Sequence, residues 1–555
     1  MSTNRLIYLP LGGAGEIGMN AYVYGYGRQE KERLIVVDLG VTFPDMDGTP
    51  GVDLILPDVS WLEARRNQIE AIFITHAHED HVGAVGHLWE KLGAPVYARA
   101  FTAHLARHKL ADYGLPETVV RTASSWPEKI IAGPFEVSFV PVSHSIPESS
   151  ALMLETPGGR LIHTGDFKLD KTPIVGEPFN EALWQDVAKD GVKALICDST
   201  NVFSHPKGSS EASLGEDIGA LVAEASKMVV ATTFASNVAR VKTLAEAGDK
   251  AGRSICLMGR AMHRMIEVAL ETGVLTDFPK TVSPEDAGAI PRENLMLLVT
   301  GSQGERRAAS AQLAAGKFQG MELREGDLFV FSSKTIPGNE KGVIRIINQL
   351  SEKGVDVVDD SAELYHVSGH ANRPDLSFMH KLVDPQMVIP MHGEHRHLRA
   401  HRKLAEDNGK RSIICVNGMM LDLSGNAPKV VEYIETGRVY LDGKVKYGAL
   451  DGIVRDRVRM ARNGIVSVNV VLDDEHYLLG EPWVETRGIA LQGSSNAPLE
   501  DILEEDLSQY LGRAGRKTLK DDDALEEGLV KIARQSCQSE TGKRPEVCVT
   551  ISRLI

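Results

Sequence analysis

The chain has 555 residues, 43% hydrophobic and 25% charged, enough for several domains with their own cores. A net charge of −15 excludes a protein that coats nucleic acid through a broad positive field, but not an enzyme with a local cationic groove or metal ions. The sequence has no membrane-length apolar run, no signal-peptide core in MSTNRLIYLP, and no C-x-x-C among its five cysteines, so reduced thiols, no membrane span and a cytoplasmic location are expected.

The first candidate motif is RLIYLPLGGAGEIGMN, residues 5–20. Gly13, Gly15 and Gly18 spell G-x-G-x-x-G, and Asp38 follows twenty residues later, as in a dinucleotide-binding fold. Such a loop must open a helix. Here MNAYVYGYG follows, which alternates, carries aromatic and β-branched residues and predicts a strand. The glycines are therefore expected to form a tight turn between two strands.

Short strands are predicted over 6–11, 21–26, 34–38, 71–75, 96–99, 135–142, 151–155, 161–164 and 194–197, with helices over 81–92 and 102–113. From about residue 209 the alternation lengthens. Strands over 228–234, 255–258, 295–300 and 328–332 alternate with helices over 237–250, 261–271, 307–315 and 342–353, the pattern of a parallel α/β sheet. Residues 380–440 return to the shorter rhythm. After GALDGIVRDR the chain enters a final segment with a strand in GIVSVNVVLD, an acidic helix and a last strand in EVCVTISRLI. There is no internal repeat.

The chemistry concentrates in AIFITHAHEDHVG, residues 71–83. An apolar strand ends at Thr75, and His76, His78, Asp80 and His81 follow within six positions. Imidazole and carboxylate ligands at this spacing suit divalent cations such as zinc. His144 in PVSHSIPES, Asp166 in LIHTGDFK and His392 in MVIPMHGEH each follow another strand-like run. Singly each reads as a turn or capping residue; together with the 76–81 cluster they complete the ligands for two divalent ions. His163 reads as a packed or hydrogen-bonded residue and Glu79 as solvent-facing or supporting the loop.

This set resembles the metallo-β-lactamase superfamily. The resemblance implies an αββα sandwich with a binuclear site between its sheets, in which His76, His78 and His144 hold one ion, Asp80, His81 and His392 hold the other, and Asp166 bridges. Asp38 in VVDLG matches the carboxylate that orients the ligands. DSTN at 198–201 and YHVSGHA at 365–371 resemble the added motifs of the β-CASP branch, whose members cleave nucleic acids. FASN, MGRAM, TGSQGE, IPGNE, PMHGEH and TGKRP are similar to bacterial ribonuclease J over about 5–555. Three features depart from that pattern: Ala239 in SNVAR where histidine is common, Lys334 in SSKTIPGNE where a smaller residue is usual, and GSSEASL, which lacks an arginine pair after its glutamate.

The resemblance implies an α/β chain built from a metallo-β-lactamase αββα sandwich, an inserted parallel α/β β-CASP domain and a small C-terminal α+β domain. The expected division is 1–208 and 371–450 for the sandwich and linker, 209–370 for the insertion and 451–555 for an oligomerisation domain. The expected activity is 5′-to-3′ exonucleolytic degradation of single-stranded RNA bearing a 5′-monophosphate, with endonucleolytic cleavage, in RNA processing and decay. A DNA nuclease of the same branch and a small-molecule metallo-hydrolase are the alternatives. The expected cofactors are two Zn2+ ions, replaceable by Mn2+ or Mg2+. Gly51, Asp53 and Asp442 match positions of a structural Ca2+ in relatives, and an ordinary turn is the alternative reading.

Within the reaction, Asp80 belongs to the catalytic metal set. His370 protonates the leaving oxygen or holds the phosphate, and Asp198 orients it. The turn of His366, Val367, Ser368, Gly369 and His370 can form an anion nest. Ser302, Gln303, Ser332 and Ser333 lie in loops suited to cradling phosphates. A homodimer or homotetramer is implied, with other RNA-processing proteins as candidate partners.

Overall fold

The strand predicted after the glycine motif forms. In the computed structural model, which describes residues 4–45, 47–362 and 364–554, strand Arg5–Gly12 pairs antiparallel with Ala21–Gly27, placing Tyr8 opposite Tyr24. The first three residues of MSTNRLIYLP lie outside the described residues. No helix follows Gly18, so the dinucleotide-binding reading fails on backbone geometry. Gly13 itself is left-handed, and a Cβ there would fall 2.1 Å from Asn20 Oδ1.

The chain divides into two compact units, Met1–Thr42 with Leu56–Gly437, and Phe43–Ile55 with Arg438–Ile555. In the first, an eight-stranded sheet runs in the order Lys429–Tyr433, Met419–Asp422, Arg5–Gly12, Ala21–Gly27, Arg33–Val37, Ile69–Phe73, Val96–Ala98 and Val120–Thr122. A seven-stranded sheet faces it, ordered Arg411–Ser412, Met387–Met391, Ala194–Asp198, Gly159–His163, Ser150–Thr156, Phe135–Pro141 and Ile130–Ala132. Alternate residues of both sheets fill the space between them: Tyr8, Tyr22, Tyr24 and Phe73 from one, Phe135, Phe139, Leu152 and Ile389 from the other. Helices Glu181–Ala188, Arg373–Val383 and His395–Asp407 cover the outer face of the second sheet through Trp184, Met379 and Leu404.

The insertion is a five-stranded parallel sheet ordered Ser254–Met258, Leu295–Val299, Val229–Thr232, Leu328–Phe331 and Asp356–Val358. Helices Gly215–Glu224, Val238–Lys250 and Arg260–Glu271 bury Ile218, Leu244 and Ile266 on one face; Ala309–Ala315 and Glu340–Glu352 bury Leu313 and Ile346 on the other. This is the longer alternation read in the sequence. In the second unit, strand Ile465–Leu472 pairs antiparallel with Trp483–Arg487 and parallel with Glu546–Arg553. Helices Leu499–Arg513 and Asp522–Thr541 cover it with Leu499, Leu503, Leu507, Leu525 and Leu529, which recur every four residues.

The predicted helix over 81–92 is instead two helices, Glu79–Val82 and Val85–Leu92. The Ala84 amide donates to the Leu39 carbonyl at 2.8 Å, outside any helical ladder, and this breaks the run. None of the cysteines is in a disulfide, and among the described residues no helix is long and apolar enough to cross a membrane.

Phe139 is fully buried between the sheets and Ile131 is 66% exposed on the edge of the same sheet. Phe139→Ala is expected to cost about 3–5 kcal/mol and Ile131→Ala less than about 0.5 kcal/mol in denaturant unfolding. Equal losses would contradict the placement of the core.

Candidate metal centre

The predicted ligands gather beyond the carboxyl ends of strands, with Asp80 and His81 in the short helix Glu79–Val82. His76 and His78 follow Ile69–Phe73, His144 follows Phe135–Pro141, Asp166 follows Gly159–His163, and His392 follows Met387–Met391. Asp198 ends its own strand in register with Met391, the residue before His392. Asp38 and His392 have left-handed backbones, φ 63° and 48°, which ordinary residues adopt only when their surroundings hold them there.

The ligand loop is fastened from the first sheet. Asn20 N donates to Asp80 O at 2.9 Å, Leu39 N to His81 O at 2.8 Å and Val41 N to Glu79 O at 3.0 Å. Gly40 makes this approach feasible, because a Cβ there would fall 1.6 Å from Asp80 O. Asn20, which the sequence reading passed over, also donates from Nδ2 to Asp80 O and lies 3.1 Å from His81 Nε2. Glu79 points outward, as read from the sequence, and pairs with Lys109 at 2.7 Å. His163 is buried with Nδ1 2.8 Å from the Tyr24 hydroxyl.

Two groups of ligand atoms form, each within 4.8 Å: His76, His78 and His144, then Asp80, His81, Asp166 and His392. In the first, His78 Nδ1 lies 3.2 Å from His76 Nε2 and 3.1 Å from His144 Nε2. The other nitrogens fix the tautomers. His144 Nδ1 lies 2.6 Å from Gly369 O, which can only accept. Thr75 Oγ1 donates to Asp38 Oδ2 at 2.9 Å, so it accepts from His76 Nδ1 at 3.0 Å. Both Nε2 atoms therefore turn lone pairs inward, the arrangement of a cation site.

In the second group, His81 Nδ1 donates to Asp38 Oδ2 at 2.7 Å while its Nε2 faces Asp166 Oδ2 at 3.2 Å. His392 Nε2 lies 3.3 Å from Asp80 Oδ2. Asp166 faces both groups, since its Oδ2 is also 3.9 Å from His76 Nε2 and from His144 Nε2. Asp166 Oδ1 is buried without a hydrogen bond, although His392 Nδ1 stands 3.0 Å away. An orphaned carboxylate oxygen among inward-facing imidazoles fits divalent metal.

The electrostatics of the first group agree with that fit; in the second, neighbouring carboxylates outweigh burial and favour the protonated forms of His81 and His392, whose protons a bound cation would displace. Burial pushes His76 and His144 well below the ordinary imidazole range and His78 down to about 4, so all three are neutral, the ligating form. Burial works against charge on His81 as well, but Asp166, Asp80 and Asp38 raise it to about 10. Burial opposes ionisation of Asp166, yet His392 and His81 hold it well below the usual carboxylate range.

Beside these groups, His370 Nδ1 binds Asp198 Oδ2 at 2.8 Å. Burial disfavours the His370 imidazolium, but the Asp198 carboxylate outweighs it and the pKa is raised. Thr200 and Asn201, within the DSTN motif but not singled out from sequence, complete the arrangement. Thr200 Oγ1 donates to Asp198 Oδ1 at 2.7 Å and lies 3.1 Å from His392 Nδ1. Asn201 Nδ2 donates to Ser368 Oγ at 2.8 Å. Ser368 Oγ also accepts the His370 amide at 3.1 Å, which shapes the His366–His370 turn.

In the insertion, Ser333 Oγ is buried without a partner, whereas Ser332 Oγ donates to Tyr365 O at 2.6 Å. The Gln303 amide bridges Lys334 O and Ile336 N. Ser302 is buried in the adjoining loop. In the second unit, Asp53 Oδ2 accepts the Gly443 amide at 2.7 Å, and Asp442 pairs with Arg457, whose guanidinium stands beside Gly51. Calcium at Gly51, Asp53 and Asp442 would compete with the Arg457 guanidinium for Asp442.

Comparison with known proteins places this geometry in a family. Residues 15–226 match the metallo-beta-lactamase superfamily, 226–350 the ribonuclease J beta-CASP domain, 354–415 the Zn-dependent metallo-hydrolase RNA specificity domain and 452–554 the ribonuclease J C-terminal domain. The chain is 40% identical to ribonuclease J of Sinorhizobium meliloti over 99% of this chain and 98% of that one. It is 36% identical to ribonuclease J of Mycolicibacterium smegmatis, covering 90% and 89%, and 32% identical to ribonuclease J 1 of Streptococcus pyogenes, covering 98% and 97%. A crystal structure of a protein of unknown function from Enterococcus faecalis shares the fold at a TM-score of 0.52 and 17% identity, over 75% of this chain and all of the other. With its sandwich, inserted domain and histidine–aspartate centre, the chain belongs to the ribonuclease J family of metallo-β-lactamase hydrolases.

Proposed function

We propose that the chain is a metal-dependent ribonuclease that degrades single-stranded RNA from a 5′-monophosphate end and also cuts internally. The observation that carries this reading is the position of Asp166, facing His76 and His144 on one side and His81 and His392 on the other. Two metal ions, zinc first and manganese or magnesium as substitutes, fit the two ligand groups. Held there, divalent ions supply Lewis acidity and a nucleophile at neutral pH.

The chain's own residues then orient the phosphate and move the proton. Asp198 holds His370 by Nδ1, leaving Nε2 to give a proton to the departing 3′ oxygen. Asp80, His81 and His392 would hold one ion on one side of the reacting phosphate, and the His366–His370 turn supplies donors on the other. Gly369 O is bound to His144 Nδ1, so phosphate binding at this turn is mechanically tied to the metal ligands. The unpartnered Ser333 hydroxyl takes the terminal 5′-phosphate; Gln303 and Ser332, whose side chains hold the surrounding loops, shape its cradle together with the buried Ser302. The proposed setting is cytoplasmic RNA processing and decay, with residues 451–555 supporting a homodimer or homotetramer and contacts to other RNA-processing proteins.

The decisive measurement is a time course on RNA labelled at its 5′ or 3′ end and bearing a mono- or triphosphate, with a matched DNA. Release of 5′-labelled mononucleotide from monophosphorylated RNA, slowed by the triphosphate, is expected. Preference for DNA, or hydrolysis of small esters alone, would move the protein to one of its rivals.

His78→Ala and Asp80→Ala should each lower the RNA cleavage rate more than about a hundredfold, and Asp38→Asn about 10–100-fold with loss of bound metal. Full activity in any of the three would remove the proposed centre. Asp198→Asn should lower the rate about 10²–10⁴-fold. It also withdraws the charge that raises the His370 pKa, so the alkaline fall of kcat should move to lower pH. An unmoved alkaline limb would exclude His370 as the proton donor.

A further inference from the structure

A second histidine cluster lies on the opposite face of the second sheet. Cys197 belongs to strand Ala194–Asp198, His380 to helix Arg373–Val383 and His401 to helix His395–Asp407. All three are fully buried, and their ligand atoms lie within 4.8 Å of one another. The imidazole rings are nearly parallel, 9° apart, and face each other through Nε2 atoms 3.0 Å apart. That separation resembles the 3.1 and 3.2 Å between ligand nitrogens of His76, His78 and His144.

Each ring is oriented from its far nitrogen. Ser199 Oγ donates to Cys197 O at 3.4 Å, so it accepts from His401 Nδ1 at 2.9 Å. Neutral His401 therefore presents a lone pair at Nε2; burial lowers its pKa to about 4. Asn408 Nδ2 donates to His380 Nδ1 at 3.2 Å while its Oδ1 accepts the Ser377 hydroxyl at 3.0 Å, so His380 carries its proton on Nε2 and donates it to His401 Nε2. Rotation of the Asn408 amide exchanges its oxygen and nitrogen; Oδ1 then accepts from His380 Nδ1, the His380 proton moves from Nε2 to Nδ1, and the Nε2 lone pair is free for a cation.

We propose that Cys197, His380 and His401 form a structural metal site for a thiophilic cation, Zn2+ or Cu+, bound by one thiolate and two imidazole Nε2 atoms. One sulfur and two nitrogen donors favour these ions over calcium or magnesium. Binding breaks the Cys197 S–H bond and releases its proton to solvent, forms one metal–sulfur and two metal–nitrogen bonds, and changes no oxidation state. The site ties together three elements that reach the catalytic face. Asp198 is the next residue after Cys197, helix Arg373–Val383 starts three residues after His370, and helix His395–Asp407 starts three after His392.

Cobalt separates this site from the catalytic one, because a cobalt–thiolate bond absorbs in the near ultraviolet and the catalytic ligands are all nitrogen or oxygen. Full-length protein carrying Cys548→Ser, which removes the exposed thiol, is produced in cobalt-supplemented medium. The expected result is a thiolate–cobalt band in that protein, kept in His78→Ala and abolished in Cys197→Ser and His401→Gln, each of which loses one metal per chain. If Cys197→Ser fails to fold, the band in the otherwise unaltered protein still decides. Bound cobalt without the band overturns the proposal, as does unchanged metal content in both variants. Elemental analysis of protein made without added metal, followed by competition with Zn2+-selective and Cu+-selective chelators, identifies the ion. Absence of zinc and copper beyond the content of Cys197→Ser counts against the site.

Discussion

The candidate centre depends on one buried carboxylate. Asp38 accepts the Thr75 amide at 2.8 Å, the Thr75 hydroxyl and His81 Nδ1, and it sits in a left-handed conformation between two strands. Through Thr75 it sets the tautomer of His76, and directly it sets that of His81. One side chain thus aligns a ligand from each group. Burial penalises its charge and leaves its pKa raised; the three donors offset only part of that penalty. The strain of its backbone is tolerated because the sheet around it is fully packed.

Much of this was legible in the chain. The candidate ligands cluster at strand ends, and H-x-H-x-D-H compresses four of them into one short stretch, so pattern alone pointed to the side chains that the fold gathers. The glycine motif near the start was separated from a nucleotide loop by the alternation of Tyr22, Val23 and Tyr24, a local signal that the structure reproduces as a strand. The inserted parallel sheet was equally readable, since each of its helices carries a clear apolar stripe.

What escaped was cooperation over distance. Asn20 acts on a loop sixty residues away, and Thr200 meets His392 across 192. Neither residue type is unusual where it stands. The helix break at Ala84 arises from a carbonyl at Leu39, invisible to any local window. His380 and His401 look like ordinary polar positions on amphipathic helices until both prove to face Cys197. The second unit also draws in Phe43–Ile55, a segment remote in sequence from the rest of it.

The order of the ligands along the chain bears on how the protein is made. His76, His78 and His144 are all present once 144 residues have been synthesised, and the strand before His144 gains its neighbour Ser150–Thr156 soon after. The other group waits for His392, which follows the whole inserted domain. At translation speeds of roughly 5–20 residues per second, tens of seconds separate the two events at the slower end. During that interval the emerging chain holds half a centre, with Asp80, His81 and Asp166 gathered but their last imidazole still on the ribosome. Synthesis itself therefore keeps a ribonuclease incomplete beside the messenger that encodes it, until the second sheet receives strand Met387–Met391.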